Sequence, residues 1–413
     1  MQIGETTLFT KYYLYMKLKS TAVCILFLLH LVSCRNTHRQ DILPVIDIES
    51  GVQKQSSVNL SEYCSKIEYI PLQTDSNSLI DNMRLELYAY DGNYCFINFS
   101  MKECKVFDRT GKYLRSIGKA GRAGNEFNTI IDMKMNPGNG NIIIYDWDKL
   151  VIYDHHSGAY IKQIHLSPLK YTKNLSIEGF NVTGDTLCLH TLNREYDNPG
   201  LIFLDMDGTE LASHQKENRI KHPTEFEREG MRYRTKTTLG TYVYNDLLRL
   251  VDPTTDTIFT FSRHLQKSPC YLVNLGKYKL NPDRSNKHNS IQINPRMIWE
   301  AEKILVFTIF TNENKFEGNN PDIKMGYMLY DKITGSTRML PYDKDLEIHA
   351  FNNDLDGGVP IQPQGITGNK LYQSINATQF IAYSKRFNSK KMKEIAAGLT
   401  ENSNPVVIVA TLK

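Results

Sequence analysis

The glycine-rich segment Gly118-Lys-Ala-Gly121-Arg-Ala-Gly124-Asn-Glu126-Phe127 could bring backbone amides against a phosphate. No Gly-Lys-Ser/Thr follows it, and it leads into a strand rather than a helix, so it reads as a turn between repeats. Glu126 and Asp132 stand where the chain passes from one repeat to the next. Carboxylates at such positions can face a central channel and converge on a divalent cation such as calcium. The competing reading has Glu126 accepting loop amides and Asp132 capping a turn. Asp354-Leu-Asp-Gly-Gly358 opens like a calcium loop, but Gly365 occupies the twelfth position where an acid belongs, and it reads as a turn. His155-His156 has no ligating partner at metal spacing and reads as an exposed hairpin tip. Arg122, Tyr233, Arg234, Tyr242, Tyr244 and Trp299 offer the flat or cationic faces that a sugar- or peptide-binding rim needs. Arg122, Glu126, Asp132 and Tyr242 are the ligand-binding candidates. No nucleophile elbow, zinc-protease helix or Cys/His pairing can be assembled, so no catalytic residue and no metal ligand is assigned.

The elements that position these residues are short. The 413 residues carry 41% hydrophobic and 23% charged side chains, with 33 Asn, 25 Gly and 15 Pro. That composition suits a globular chain of many strands and turns. Segments such as Tyr94-Cys-Phe-Ile-Asn-Phe99, Asn141-Ile-Ile-Ile-Tyr145 and Leu150-Val-Ile-Tyr-Asp154 are rich in β-branched and aromatic residues and bounded by turn formers. An apolar run, an Asp and a turn closed by Gly recurs at Asp108/Gly111, Asp154/Gly158, Asp205/Gly208 and Asp331/Gly335. A repeat of this length, holding four strands, predicts propeller blades. Blades start near residues 80, 128, 176, 237 and 290, and a sixth spans 346–413. The segments Ile67-Glu-Tyr-Ile-Pro-Leu72 and Pro405-Val-Val-Ile-Val-Ala-Thr-Leu412 predict one ring-closing blade built from both ends. The expected fold is all-β, a six-bladed β-propeller of four-stranded antiparallel blades over 58–413. One short helix is expected from Ser389 to the glycine at 398.

The first 33 residues read as a secretory signal. Lys17 and Lys19 precede an apolar run of about a dozen residues, too short to span a ~30 Å hydrocarbon core comfortably. Leu31-Val32-Ser33-Cys34 looks like a bacterial lipobox, which makes Cys34 the expected lipid-attachment site, and Met16 is an expected alternative start. Loss of residues 1–33 removes Lys11, Lys17, Lys19 and Glu5 and lowers the net charge from +4 to about +2. A charge so small makes no electrostatic case for nucleic acid. Residues 34–57 are expected as a tether. Residues 35–40 hold no acidic cluster of the kind that sends some lipoproteins to the cell surface, which favours the periplasmic face of the outer membrane. The remaining cysteines, Cys64, Cys95, Cys104, Cys188 and Cys270, form no disulfide framework. Cys95 and Cys104 flank one predicted hairpin and could bridge if register allows.

The stretch around Gly118, preceded by Phe107-Asp-Arg-Thr-Gly-Lys-Tyr-Leu-Arg-Ser-Ile117 and followed by Asn141-Ile-Ile-Ile-Tyr-Asp146, resembles the NHL-repeat pattern. With Ser65-Lys-Ile-Glu-Tyr-Ile-Pro-Leu-Gln-Thr74, Val273-Asn-Leu-Gly-Lys-Tyr-Lys-Leu280 and Asn404-Pro-Val-Val-Ile-Val409, the whole chain resembles the six-bladed β-propeller lipoproteins of gut-type Gram-negative bacteria. That resemblance implies the fold and an extracytoplasmic address, and no reaction. The expected function is a lipid-anchored, monomeric binding module of the cell envelope for a glycan, peptide or envelope protein. The alternative is a metal-dependent propeller hydrolase or lactonase using Glu126 and Asp132 at the channel mouth.

Overall fold

The computed structural model describes residues 43–413 apart from 55–56, 81–84, 91, 99–102, 167–174, 194–198, 216–224, 229–230, 235–238, 253–254, 280–289 and 312–324. The signal segment and Cys34 lie outside the described residues.

Six blades are numbered here in chain order, their strands given from the inside outward. Blade 1 comprises Leu85–Tyr90, Asn93–Asn98, Glu103–Phe107 and Tyr113–Ile117. Blade 2 comprises Asp132–Met135, Ile142–Asp146, Lys149–Tyr153 and Tyr160–His165. Blade 3 comprises Leu175–Thr183, Thr186–Asn193, Leu201–Asp205 and Glu210–His214. Blade 4 comprises Gly240–Tyr244, Leu247–Val251, Thr257–Phe261 and Lys267–Asn274. Blade 5 comprises Ile291–Glu300, Ile304–Thr311, Met325–Asp331 and Thr337–Met339. Blade 6 takes Gly365–Thr367, Lys370–Ile375 and Val406–Leu412 from one end of the chain and its outermost strand, Cys64–Pro71, from the other. The closing pair is antiparallel, with Ile67 opposite Ala410 and Ile70 opposite Val407. Each inner strand touches the inner strands of both neighbouring blades, and the contacts run around the full ring.

The repeat residues do the local work that their chemistry suggests. Asp108 accepts from the amide of Thr110 at 2.8 Å, Asp154 from Ser157 at 2.6 Å, Asp205 from Thr209 at 2.8 Å and Asp331 from Thr334 at 2.9 Å. Gly111, Gly158, Gly208 and Gly335 close those turns at φ values of 86°, 75°, 87° and 70°, where a Cβ would be strained. These are the turns between the third and fourth strands of blades 1, 2, 3 and 5.

Packing explains the continuous apolar runs. Successive strand residues point to opposite faces, and a blade has a neighbour on both. Ile142 and Ile144 therefore join Cys95, Val106 and Ile117 of blade 1, while Ile143 and Tyr145 join Phe180 and Leu189 of blade 3. Every junction between adjacent blades holds one such apolar cluster.

Three expectations are corrected. Part of the span expected as a tether is built into the ring. Val45–Asp47 pairs in parallel with Lys267–Asn274 as a fifth strand on blade 4, and helix α1 (Ile48–Gln53) then lies on Thr337–Met339 of blade 5. Ile46, Ile48 and Val52 supply the apolar surface that holds it there, and the Asp47 amide donates to Thr337 Oγ1 at 3.0 Å. The described residues contain four α-helices rather than one. These are α1, α2 (Leu60–Tyr63), α3 (Ala377–Arg386) and the expected one, α4 (Lys390–Ala396), whose N-cap Ser389 accepts from the Met392 amide at 3.2 Å. His155 is buried rather than exposed, with its Nε2 3.5 Å from Asn93 Nδ2 of blade 1, and only His156 faces solvent. Register places Cys95 opposite Val106 and Cys104 opposite Ile97, and both thiols are free.

Ile48 is fully buried in the cluster between blades 4 and 5. Ile48→Ala is therefore expected to cost about 2–5 kcal/mol in denaturant unfolding. A loss below about 0.5 kcal/mol would show that α1 is not part of the cooperative ring.

Candidate functional site

The six inner strands enclose an axial channel of about 1690 Å³. Each contributes lining residues, among them Tyr88, Asp132, Glu178, Thr241, Arg296 and Ile366, one from each blade in order.

Asp132 and Tyr242 line this channel, and Arg122 and Glu126 are not among its lining residues. Asp132 is engaged through both oxygens. Its Oδ1 accepts from Lys134 Nζ at 2.7 Å and from the Met133 amide, and its Oδ2 accepts from the Phe180 amide of blade 3 at 3.1 Å. Gly179 permits that approach, because a Cβ there would stand 2.8 Å from Asp132 Oδ2. Asp132 thus fastens two inner strands to each other. Glu126 serves its own loop, accepting from the Ala123 amide at 2.9 Å with its carboxylate packed against Gly121. Arg122 is exposed on that loop.

Tyr242 belongs to a buried polar knot between blades 4 and 5. Its hydroxyl donates to Glu300 Oε2 at 2.9 Å, Tyr271 donates to Oε1 at 2.7 Å, and Lys332 Nζ donates to the same oxygen at 2.9 Å. Burial, with the Glu300 charge beside it, pushes the Tyr242 phenol far above its ordinary range, so it stays a donor. Lys332 also sits 4.2 Å from the Tyr244 ring centroid. Trp299 lines the channel and stacks on Tyr327 at 6.5 Å and 18°. The side chains of Tyr233 and Arg234 lie outside the described residues.

The sequence reading missed the residues that shape the wall. In blade 5, Ile293 pairs with Ile309 and Ile298 with Phe307, so residues 294–297 bulge from the inner strand opposite Thr308 alone. Pro295 cannot donate to the ladder, which is the signal that marks this bulge in an otherwise continuous strand pattern. It rests on Gly240 of blade 4, where any Cβ would overlap it. Asn294 Oδ1 accepts from the Arg296 amide at 3.1 Å and sets the turn inside the bulge. Blade 3 has its own register shift between Ile177 and Gly179, which displaces Glu178. Arg296 reaches Glu178 across the intervening blade. Its NH2 group donates to the Glu178 carbonyl at 3.2 Å and lies 3.7 Å from Oε2.

His190, from the second strand of blade 3, also reaches the channel. Its Nε2 lies 2.6 Å from Thr241 Oγ1, and Asn181 Nδ2 donates to the Thr241 carbonyl at 2.6 Å and to its hydroxyl at 2.9 Å. Withdrawal from bulk water holds the imidazole down to about 4, with nearby Asp132 opposing and Lys134 and Arg296 reinforcing that shift.

Among the described residues, no three His, Cys, Asp or Glu side chains gather where they could hold a metal ion. In the half calcium loop, Asp354 is bonded to Ser61, and Asp356 accepts from Tyr69 at 3.0 Å, Asn353 at 2.8 Å and Ser389 at 2.6 Å. Those bonds tie blade 6 to α4. They explain why an Asp-rich turn sits there.

His190 carries a testable pH signature. Between about pH 6.5 and 4 the unfolded chain takes up a proton at His190 and the folded protein does not, so its contribution to stability is lost as pH falls. His190→Gln is expected to lose about 2 kcal/mol less than wild type between pH 7 and 4.5, read from denaturant midpoints. Parallel losses in the two proteins would contradict the assignment.

Comparison with known proteins fits the architecture. A candidate exported protein from Bacteroides fragilis NCTC 9343 is 16% identical over 90% of this chain and 99% of its own, with a TM-score of 0.61. A member of the duf4221 family from Bacteroides vulgatus atcc 8482 is 10% identical over 87% of this chain and 99% of its own, at 0.48. Virginiamycin B lyase from Staphylococcus aureus is 10% identical over 84% and 99%, at 0.38. The first likeness carries the fold; identities this low carry nothing finer. No curated protein matches the sequence. Among the described residues no helix is long and apolar enough to cross a membrane. Residues 43–411 match the family described as "Domain of unknown function (DUF4934)", and the chain belongs to that family.

Proposed function

We propose that the protein is a binding module of the cell envelope that holds its ligand in the axial channel. The observation that carries this reading is the channel itself. Six inner strands surround one open volume, and two of them leave regular β geometry to turn polar side chains into it. A bulge on an inner strand re-aims side chains toward the axis, and a rigid ring can hold it there. The lining mixes aromatic faces (Tyr88, Trp299), acids (Asp132, Glu178) and bases (Lys134, Arg296). Such a wall suits a polar ligand with both ring faces and hydrogen-bonding groups. The hydrolase reading needs carboxylates converging on a cation; Asp132 is instead fully engaged between blades 2 and 3, and Glu126 by its loop.

A glycan and peptide array probed with the purified chain tests this. Hits are expected to weaken at least about tenfold in Tyr88→Ala and Lys134→Ala and to persist in Arg122→Ala. Hits that ignore the channel variants and vanish with Arg122→Ala would move the site to the outer loop.

The lipobox-like Leu31-Val32-Ser33-Cys34, which precedes the ring in sequence, supports an envelope address. In this reading Cys34 carries the lipid and the ring faces the periplasm from the outer membrane, as a monomer. Two acyl chains anchor stably where one does not. Cys34→Ala is expected to move the protein from the membrane pellet to the soluble fraction on cell fractionation. Unchanged membrane association would remove the lipid anchor.

A further inference from the structure

Arg296 is held in place by its backbone and only loosely by its head group. Its position is fixed by the Asn294 turn and by Pro295 against Gly240, yet its guanidinium makes a single hydrogen bond among the described residues. That bond, to the Glu178 carbonyl, is 3.2 Å long, and the Glu178 carboxylate stands off at 3.7 Å. Lys134, by contrast, grips Asp132 at 2.7 Å. A guanidinium offers five donors in a planar fork that fits a carboxylate through two parallel bonds at 2.7–2.9 Å. The Glu178 contact falls well short of that geometry. Arg296 keeps 64% of its side-chain surface open, against 17% for Glu178. The cation is therefore aimed into the channel with its fork unfilled, beside an acid that occupies a carboxylate's place poorly.

We infer that the channel takes a carboxylate-bearing saccharide whose acid group displaces Glu178 from Arg296; this rests on the channel being the binding site. The saccharide part follows from the rest of the lining, where Tyr88 and Trp299 offer ring faces and Gln362 an amide for hydroxyl groups. Displacement is an exchange of one carboxylate for another, so the guanidinium stays paired. The new pair gains the two-pronged geometry that the Glu178 contact lacks.

Tetragalacturonate and its methyl ester differ in the carboxylate and little else, which makes them suitable probes for titration calorimetry on the full chain. The acid is expected to bind at least about tenfold tighter than the ester. Arg296→Gln should abolish that preference, and Glu178→Gln, by removing the resident competitor, should tighten acid binding several-fold. Both substitutions fall on the channel wall outside the apolar clusters, and a thermal melt would show that each variant is folded. Equal binding of acid and ester, or an acid preference that survives Arg296→Gln, would overturn the inference and leave the channel reading standing. Failure of both probes while neutral glycans bind with channel-variant sensitivity would do the same. A peptide with a free C-terminus that outcompetes both and loses binding on amidation would overturn the saccharide assignment. No ligand of any class in the channel would overturn both readings.

Discussion

Closure of the ring is the constraint on which everything else depends. A blade that is apolar on both faces is stable only between two neighbours, and the strands of blade 2 show the consequence residue by residue. A line of six such blades would leave the apolar faces of its two end blades in water. The antiparallel pairing of Cys64–Pro71 with Val406–Leu412 removes that liability by building one blade from distant parts of the chain. Asn404 reinforces the seam, since its side chain donates to the carbonyls of Gln73 and Ser78 and accepts from the Ile80 amide at 2.8 Å. The segment ahead of it adds a second clasp, running from the outer edge of blade 4 over blade 5 and into the closing strand.

A closed ring also explains where irregularity is tolerated. The four-residue bulge of blade 5 and the displaced Glu178 of blade 3 would weaken an open sheet, but here the strands behind them are fixed by junction clusters on both sides. Glu178 and residues 294–297 both line the axial channel. Rigid walls with locally re-aimed polar groups are what a binding channel requires, and the buried knot around Glu300 keeps blades 4 and 5 in register behind it.

The ring was legible in the sequence because its signals are local and repeated. An Asp that caps a turn and a Gly at positive φ recur where the third strand meets the fourth in blades 1, 2, 3 and 5, and β-branched triplets such as Ile142–Ile144 between turn formers fit strands covered on both faces. Blade starts expected near 128, 176, 237 and 290 agree with inner strands at Asp132, Leu175, Gly240 and Ile291. The clasp at 45–53 was not legible, because Val-Ile-Asp-Ile-Glu-Ser-Gly-Val-Gln is too short to show a period and its partners lie more than 200 residues away. The channel was legible only in part. Asp132 and Tyr242 line it, but Glu178 and Arg296 are ordinary strand-pattern residues whose direction is set by bulges, of which only Pro295 gave a sign, and His190 lies on a second strand that the pattern does not place at the axis. Glu126 stands at the passage between blades, as expected, but its carboxylate turns back to the Ala123 amide of its own loop instead of to the channel.

Ligand binding in the channel, and not on the outer loops, is what the ring's inner surface implies. A crystal structure of the protein soaked with the tightest array hit tests it most directly. Density is expected inside the six inner strands, in contact with Tyr88 and within hydrogen-bonding distance of Arg296. Ligand density confined to the exposed loop around Arg122, with an unaltered channel, would contradict it.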